Sequence, residues 1–179
     1  MRDDELIAQI RCGDEQAAQE LIKRYYTSVL RYCKWHCSDM VEAEDLTQET
    51  FFRLFKSLPK YNDKKKFKAY LYTIANRLCI DESRKRQIYP LEDEENIVDE
   101  YSGIRRMDDK EEVRYFLRLL SSEQREAVIL RFGEQLSYSE IAKIMGCNMR
   151  TAQSRVRNAL KIMREERCHE RDENANRNK

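Results

Sequence analysis

The sequence predicts an all-α protein: two small helical domains joined by a flexible acidic linker, the second containing a helix-turn-helix. Three observations support this fold class. Only four glycines and two prolines occur in 179 residues, and 37% of the residues are charged, a composition typical of helices. Apolar residues recur at helical spacing along most of the chain. Residues 89–109 have poor periodicity and carry an acidic run, as an extended linker does.

The first half of the chain predicts four helices in an N-terminal domain, residues 1–88. Their expected bounds are Asp3–Arg11, a helix capped by Asp14 with apolar residues as far as Tyr32, about Glu42–Ser57, and Phe67–Arg86. Gly13 ends the first helix. A polar loop, Pro59–Lys66, separates the last two.

The second half predicts a C-terminal domain, residues 110–168, that ends in the helix-turn-helix. Helices over Glu111–Leu120 and Ser122–Phe132 are expected to precede the motif. Ser137 caps its first helix, and Gly146 ends that helix because glycine accepts the left-handed backbone that follows a helix. Asn148 caps the second helix. The tail, residues 169–179, is expected to be frayed.

The helix after Asn148 has an apolar face and a cationic face. At about 100° per residue, one stripe consists of Ala152, Val156, Ala159 and Met163. The opposite stripe consists of Arg150, Gln153, Ser154, Arg157, Lys161 and Arg164. No carboxylate occurs between Gly146 and Arg164, so nothing there repels phosphate. With a helix and a turn glycine before it, this face is interpreted as a DNA-contacting surface rather than a solvated cationic helix.

Charge is segregated rather than in excess. The 34 Lys+Arg nearly balance the 33 Asp+Glu, so net charge gives no argument for nucleic acid. Basic clusters lie at 64–68, 84–86 and 150–164 instead. The chain opens with charged residues and has no long apolar run, so we expect a cytoplasmic protein.

Motifs for catalysis or cofactor binding do not occur in the sequence. There is no Walker phosphate loop, dinucleotide glycine fingerprint or metalloprotease histidine pair. We therefore expect no enzyme activity, no cofactor and no small-molecule substrate. Cys33, His36 and Cys37 lie within about one helical turn, so a metal or redox site is an alternative there. Reduced thiols without a metal are the favoured interpretation.

The helix Glu42–Ser57 also has two faces. Leu46, Thr50, Leu54 and Leu58 lie on one side, and Asp45, Gln48, Glu49, Phe52 and Lys56 lie on the other. An outward aromatic among carboxylates predicts a face that docks a basic partner. The alternative is that Phe52 packs under a neighbouring loop.

The helix Phe67–Arg86 predicts a second polar surface. Tyr72, Asn76, Cys79 and Ser83 are expected to face outward, opposite the apolar stripe. The neighbouring loop contributes Tyr61, Asn62 and the cations Lys64–Lys66. Aromatic rings, an amide and cations together suit unstacked bases, because the cations hold the backbone while rings stack and the amide recognises a base edge.

Three motifs in this order resemble the extracytoplasmic-function (ECF) sigma factors, the two-domain initiation subunits of bacterial RNA polymerase. They are AEDLTQETFFRLF (Ala43–Phe55), FKAYLYTIANRLCIDESRKR (Phe67–Arg86), and LSSEQREAVILRF with LSYSEIAKIMGCNMRTAQSRVRNA (within Leu120–Ala159). The resemblance covers nearly the whole chain, from Gly13 to about Arg164.

The resemblance implies three surfaces and three partners. Core RNA polymerase would bind through its clamp helices to Asp45, Gln48, Glu49 and Phe52. The loop Pro59–Lys66 and Asn76 would help capture bases of the melted −10 element. Together with the cations and ring of the polar surface described above, the residues expected to bind this single-stranded DNA are Tyr61, Asn62, Lys64, Lys65, Lys66, Tyr72, Asn76, Arg84 and Arg86. The −35 duplex would be recognised by Arg150, Thr151, Gln153, Ser154, Arg157 and Lys161. An anti-sigma factor, often membrane-bound in this family, would hold the protein inactive.

Three residues of this chain differ from those usual in the family. Tyr70 stands where the family usually has tryptophan. The recognition helix begins with Arg150 rather than the frequent glycine, and Gln153 stands where a cation is common. The promoter preference of relatives is therefore not transferred to this chain.

Two other classes of protein are alternatives to a sigma factor. An autonomous helix-turn-helix regulator would need a strand-bearing sensor domain or a phospho-acceptor carboxylate site in the first half. A recombinase-like enzyme would need a serine nucleophile among arginines in a mixed fold. The helical first half favours the sigma factor and leaves the autonomous regulator as the alternative.

Overall fold

The structure, a computed structural model, describes residues 1–37, 39–62, 66–88 and 107–177; the side chains of 86–88, 107–111 and 170–177 are outside that description. Every regular element in these ranges is helical, which confirms the predicted all-α fold class. The helices are α1 (Asp3–Arg11), α2 (Glu15–Lys34), α3 (Met40–Ser57), α4 (Phe67–Ile88), α5 (Met107–Arg118), α6 (Ser122–Val128), α7 (Tyr138–Ile144) and α8 (Met149–Arg177).

Contacts between Cα atoms divide the chain into two units, Met1–Val98 (unit 1) and Asp99–Lys179 (unit 2). Each unit buries its own apolar residues, as the predicted pair of helical domains requires. Most of the expected linker, residues 89–106, lies outside the described residues. Residues 107–109 belong to α5, so the helices of unit 2 begin before the position that the sequence pattern predicts.

Polar caps set the start of α2 and α3 in unit 1. The Asp14 carboxylate accepts hydrogen bonds from the backbone N–H groups of Gln16 (2.9 Å) and Ala17 (3.1 Å), which confirms the predicted cap. Asp39 accepts from the backbone N–H of Glu42 (2.7 Å), so α3 begins at Met40 rather than Glu42. These acceptors satisfy N–H groups that have no partner within the helix.

The core of unit 1 forms where α2, α3 and α4 meet. Tyr32 of α2 and Tyr72 of α4 are fully buried and make an edge-to-face contact with ring centroids 5.2 Å apart. Thr47 and Thr50 are buried on α3, and each hydroxyl donates to the carbonyl oxygen four residues earlier, at 2.7 Å. Polar groups in this core are therefore compatible with burial because they find acceptors within their own helix.

The helix-turn-helix of unit 2 forms as the sequence predicts. The Ser137 N–H donates to the Glu140 carboxylate (2.8 Å) while the Glu140 N–H donates to the Ser137 hydroxyl (3.4 Å), a reciprocal cap for α7. Gly146 has φ +62°, the left-handed conformation expected after the helix. The Asn148 side chain accepts from the Thr151 N–H (2.8 Å) and caps α8.

Two helix ends in unit 2 differ from prediction. The expected helix Ser122–Phe132 is α-helical only to Val128 and continues as a π-helical turn, Ile129–Gly133. The tail was expected to be frayed from residue 169, but α8 continues to Arg177. Residues 169–177 contain neither glycine nor proline, so the sequence supplies no strong stop signal there.

Within the described ranges, no helix is both long enough and apolar enough to cross a lipid bilayer.

Candidate functional site

The outward side of α3 carries the residues that the sequence assigns to a partner. Asp45 and Gln48 are exposed, and Phe52 has 61% of its surface in solvent. Glu49 is half-buried and pairs with Arg53 one turn later, with Nε and Oε1 2.6 Å apart. Phe52 therefore does not pack under a neighbouring loop. We call Asp45, Gln48, Glu49 and Phe52 the α3 face.

A shallow groove lies between the α3 face and the end of α4. Its volume is about 350 Å³, and its lining residues are Asp45, Leu46, Glu49, Arg53, Leu78, Asp81, Glu82 and Lys85. Carboxylates outnumber cations in this lining. The Lys85 ammonium lies 2.9 Å from the Glu82 carboxylate, so it is paired within α4. An acidic groove beside an exposed phenylalanine can receive a basic, partly apolar partner segment.

The sequence analysis missed the contribution of α4 to this groove. Asp81 and Glu82 come from α4, and only the packing of α3 against α4 brings them to the α3 face. The one signal in the sequence was that both carboxylates fall near the end of the basic helix motif. That signal does not say which neighbour they would meet.

Tyr61 does not present its ring to solvent, contrary to expectation. Only 8% of its surface is exposed, because its ring contacts Tyr70 (centroids 4.7 Å apart) and Phe67 (6.1 Å). A 3₁₀ turn, Leu58–Lys60, places Tyr61 over the start of α4. Asn62 and Lys66 are exposed. Lys64 and Lys65 lie outside the described residues.

The prediction that Tyr72, Asn76 and Cys79 face outward is wrong. Tyr72 has no exposed surface, Asn76 has 4% and Cys79 has 2%. The physical reason is that α4 packs against both α2 and α3, so its second face meets Tyr32 rather than solvent. An amphipathic pattern identifies the buried residues of a helix correctly when the helix has neighbours on one side. It fails when, as for α4, neighbours cover two sides.

Exposed side chains are concentrated toward the end of α4. Ser83 and Arg84 are exposed, in agreement with the sequence. The side chain of Arg86 lies outside the described residues. Lys68, at the other end, lies with Nζ 5.8 Å from the centre of the Tyr72 ring, close enough for a cation–π contact.

The assigned residues of α8 share one solvent-facing surface, which we call the α8 face. Arg150, Gln153, Arg157 and Lys161 are exposed, and Thr151 and Ser154 are half-buried. The opposite stripe of Ala152, Val156 and Ala159 is buried, and Met163 is half-buried.

Contacts at the start of α8 fix the register of this face. The Thr151 hydroxyl donates to the Asn148 side chain (3.0 Å), so Thr151 takes part in the cap. Met149 is a further exposed residue at the first position of α8, beside Arg150. Sequence reasoning did not assign it, because an apolar residue at a helix start carries no distinctive signal.

The cysteine cluster is divided by the fold. Cys33 is buried and hydrogen-bonds Cys79 of α4 and Thr47 of α3, while Cys37 is partly exposed. The hydrogen bond with Cys79 lowers the pKa of the Cys33 thiol more than burial raises it. Among the side chains that the structure describes, no three His, Cys, Asp or Glu residues are placed to hold a metal ion. The described cysteines are all free thiols.

Family models match both halves of the chain. The Sigma-70 region 2 model matches residues 21–88, and the Sigma-70, region 4 model matches residues 110–163. These ranges contain the α3 face and the α8 face respectively. Two such matches in this order favour a sigma factor over the autonomous regulator and the recombinase-like enzyme.

Known proteins similar to this chain are sigma factors. The ECF RNA polymerase sigma factor SigC of Mycobacterium tuberculosis is 31% identical over 151 residues, which cover 82% of this chain and 81% of the relative. The ECF RNA polymerase sigma factor SigW of Bacillus subtilis is 23% identical over 176 residues, covering 89% and 94%.

Solved structures agree with this family. The sigma factor RpoE of Bartonella quintana, in complex with the anti-sigma factor NepR, matches with TM-score 0.69 and 26% identity over 82% of this chain and 94% of that one. CnrH, in complex with the cytosolic domain of CnrY, matches in fold with TM-score 0.71 and 21% identity over 91% and 95%. With both sigma-70 regions matched and SigC so similar over most of its length, the chain belongs to the ECF sigma factors, which direct RNA polymerase to promoters.

Proposed function

We propose that the two units of this sigma factor have different roles in transcription initiation. Unit 1 binds core RNA polymerase and the single-stranded −10 element, and unit 2 binds the −35 duplex. The observation that carries this proposal is the segregation of exposed side chains. The α3 face is acidic with a protruding phenylalanine, whereas the α8 face is cationic, with a carboxylate, that of Glu165, 3.7 Å from Lys161 at its far end.

The α8 face supports binding of the −35 duplex. A recognition helix in the major groove needs exposed donors at the start of the helix and a buried opposite side that fixes its orientation. Arg150, Gln153 and Arg157 supply the donors, and Ala152 and Val156 supply the buried side. Ser154 and Lys161 extend the surface toward the phosphates, and Thr151 holds the helix start.

The α3 face supports docking on core polymerase. Phe52 provides an apolar anchor, while Asp45 and Glu49 select a basic partner. The carboxylates of Asp81 and Glu82 extend the acidic surface toward α4. The clamp helices of polymerase are the partner that the family resemblance implies for this surface.

The −10 proposal needs a revised set of residues. Asn62, Lys66 and Arg84 are exposed and can contact a single strand directly. Tyr61, Tyr72 and Asn76 are buried, so we assign them to supporting the loop and α4 from within. Lys64, Lys65 and Arg86 lie outside the described side chains and stay predictions.

An anti-sigma factor is the regulatory partner that we propose. The matched structures of RpoE and CnrH hold the anti-sigma factor NepR and the cytosolic domain of CnrY. A partner of this kind would cover the surfaces that polymerase needs, in the cytoplasm where polymerase acts.

A reconstituted transcription assay tests the proposed function. The chain is mixed with bacterial core polymerase and a pool of promoters with randomised −10 and −35 elements. We expect stable binding to core and initiation from a subset that shares one sequence in each element. Absence of binding to core polymerase, or initiation without selection at either element, would contradict the proposal.

A further inference from the structure

Arg11, the last residue of α1, is joined to the start of the loop 59–66. Its Nε and Nη2 atoms donate to the carbonyl oxygen of Leu58, at 3.1 and 2.9 Å. Nη2 also donates to the carbonyl oxygen of Tyr61. One guanidinium therefore bridges both ends of the 3₁₀ turn that connects α3 to the loop.

The chemistry of this contact requires arginine. The carbonyl oxygen of Leu58 accepts the Tyr61 N–H (3.1 Å) and has a second lone pair for a side-chain donor, and carbonyls at a helix end favour a cation. The planar guanidinium holds several N–H groups in a fixed fork, so it can serve two carbonyls at once. A lysine ammonium on its flexible stem does not reproduce that fork.

The side chain of Tyr61, in the same segment, is held by separate contacts. The Tyr61 ring lies against Tyr70 and Phe67, and Phe67 in turn contacts Tyr25 with centroids 5.5 Å apart. Arg11 thus holds the backbone of a segment whose aromatic ring is packed in the core. The next residue is Asn62, which is exposed.

The helix that carries Arg11 is itself anchored. Leu6 and Ile7 of α1 are buried, and the Asp3 carboxylate accepts from the Tyr25 hydroxyl (2.6 Å) and the Arg24 guanidinium (2.8 Å). Burial, followed by the hydrogen bond to Asp3, raises the pKa of Tyr25 above its ordinary value. Tyr25 therefore stays a neutral donor, and α1 is a firm support for Arg11.

We propose that Arg11 is a positioning residue for −10 recognition, fixing the backbone at Leu58 and Tyr61 so that Asn62 meets the melted strand in one orientation. This inference rests on the proposed −10 role of the loop. Arg11 acts through the loop and not by contact with DNA. Replacing Arg11 should therefore change which −10 base is preferred. It should leave the affinities for core polymerase and for the −35 duplex unchanged.

Four variants separate this role from simpler ones. Arg11→Ala removes the fork and the charge, whereas Arg11→Lys keeps the charge and loses the fork. Lys23→Ala is the matched control, because Lys23 is an exposed cation on α2. Asn62→Ala tests the loop itself.

The readout is the ratio of open complexes formed on a promoter with its best −10 sequence and on promoters with one −10 base changed. Each variant is measured as the full chain bound to core polymerase. A ratio within one preparation does not depend on the folded fraction, so a purely structural loss leaves it unchanged. Core affinity and −35 binding are measured in parallel.

We expect Arg11→Ala and Arg11→Lys both to lose about tenfold in discrimination at one base, the size of effect that a single well-placed base contact provides. Lys23→Ala retains the discrimination of the unmodified protein. Wild-type discrimination in Arg11→Lys with a loss in Arg11→Ala would overturn the inference in favour of a phosphate contact.

Wild-type discrimination in both Arg11 variants, with a loss in Asn62→Ala, would overturn the role of Arg11 while leaving the −10 role of the loop intact. Wild-type discrimination in all of the variants would overturn both.

Discussion

Asn76 shows how the packing of a helix changes the role of a single residue. The sequence places its amide in a motif with neighbouring cations, where an exposed asparagine would recognise a base edge. The fold buries it between helices instead, with 4% of its surface exposed. A buried amide acts first on stability, because it must satisfy its hydrogen bonds inside the protein.

Asn76→Ala should therefore lower the free energy of unfolding by about 1–3 kcal/mol, since removing a buried polar side chain leaves its neighbours unsatisfied. Urea unfolding followed by far-UV circular dichroism measures this. The substitution Ser83→Ala, at an exposed position of α4, is the control and should leave the free energy unchanged. Unchanged stability together with a selective loss of promoter opening would restore a direct role for Asn76 at the base.

Arg157→Ala should weaken binding of the −35 duplex by about 1–3 kcal/mol and relax the preference at one base pair, if its guanidinium contacts a base edge. Binding measured against duplexes with single substitutions separates the two effects. Arg118→Ala removes an exposed arginine from α5 in the same unit and should bind as the unmodified protein does. If Arg157→Ala binds every duplex with the affinity of the unmodified protein, Arg157 does not contact the DNA.

At the scale of elements, α3 and α4 differ in how well the sequence predicts them. For α3 the pattern places Leu46, Thr50 and Leu54 inward and Phe52 outward, and the structure confirms each. For α4 the pattern predicts one buried face, whereas α2 and α3 cover two. Periodicity reports the polarity of a helix but not its number of neighbours, so the burial of Tyr72 could not be predicted.

Caps were predictable because their chemistry is local. Asp14, Ser137 and Asn148 each satisfy N–H groups within three residues, so no tertiary contact is needed to identify them. The acidic groove depends instead on α3 meeting Asp81 and Glu82 of α4. The contact of Arg11 with Leu58 and Tyr61 likewise joins residues that are distant in sequence.

Reversing the charge of the α3 face tests its role as an element. The double variant Asp45→Lys, Glu49→Lys should weaken binding to core polymerase about tenfold or more, because like charges then face a basic partner. Its helical circular dichroism should be unchanged, since both residues lie outside the core. Titration of labelled variant with core polymerase measures the affinity.

The control for this prediction is an equal charge change on other helices of unit 1. Asp4→Lys, Glu15→Lys reverses two exposed carboxylates on α1 and α2 and should leave core affinity near that of the unmodified protein. An equal loss in both double variants would show a general charge effect. Normal affinity of the α3 variant would mean that this face is solvated surface only.

At the scale of the whole molecule, near-zero net charge conceals two surfaces of opposite sign. The acidic α3 face belongs to unit 1 and the cationic α8 face to unit 2. If the proposed assignments hold, polymerase binding and duplex binding can be lost independently. Binding of the −35 duplex by the α8 face should weaken with salt in proportion to the phosphates that its cations neutralise.

The triple variant Arg150→Ala, Ser154→Ala, Arg157→Ala should lose protection of the −35 element while keeping its affinity for core polymerase. Footprinting of the complex with core polymerase, at two salt concentrations, measures the protection. We expect the salt dependence of duplex binding to fall as well, because two cations are removed. Unchanged −35 protection would contradict the assignment of the α8 face to DNA.

In the proposed function, unit 1 captures a melted strand while unit 2 holds the duplex. Permanganate reactivity of −10 thymines, in the complex of the chain with core polymerase on its promoter, tests this most directly. The double variant Asn62→Ala, Lys66→Ala should keep core binding and −35 protection but lose most of the reactivity of the unmodified protein. Wild-type reactivity in that variant would show that these residues of unit 1 do not capture the melted strand.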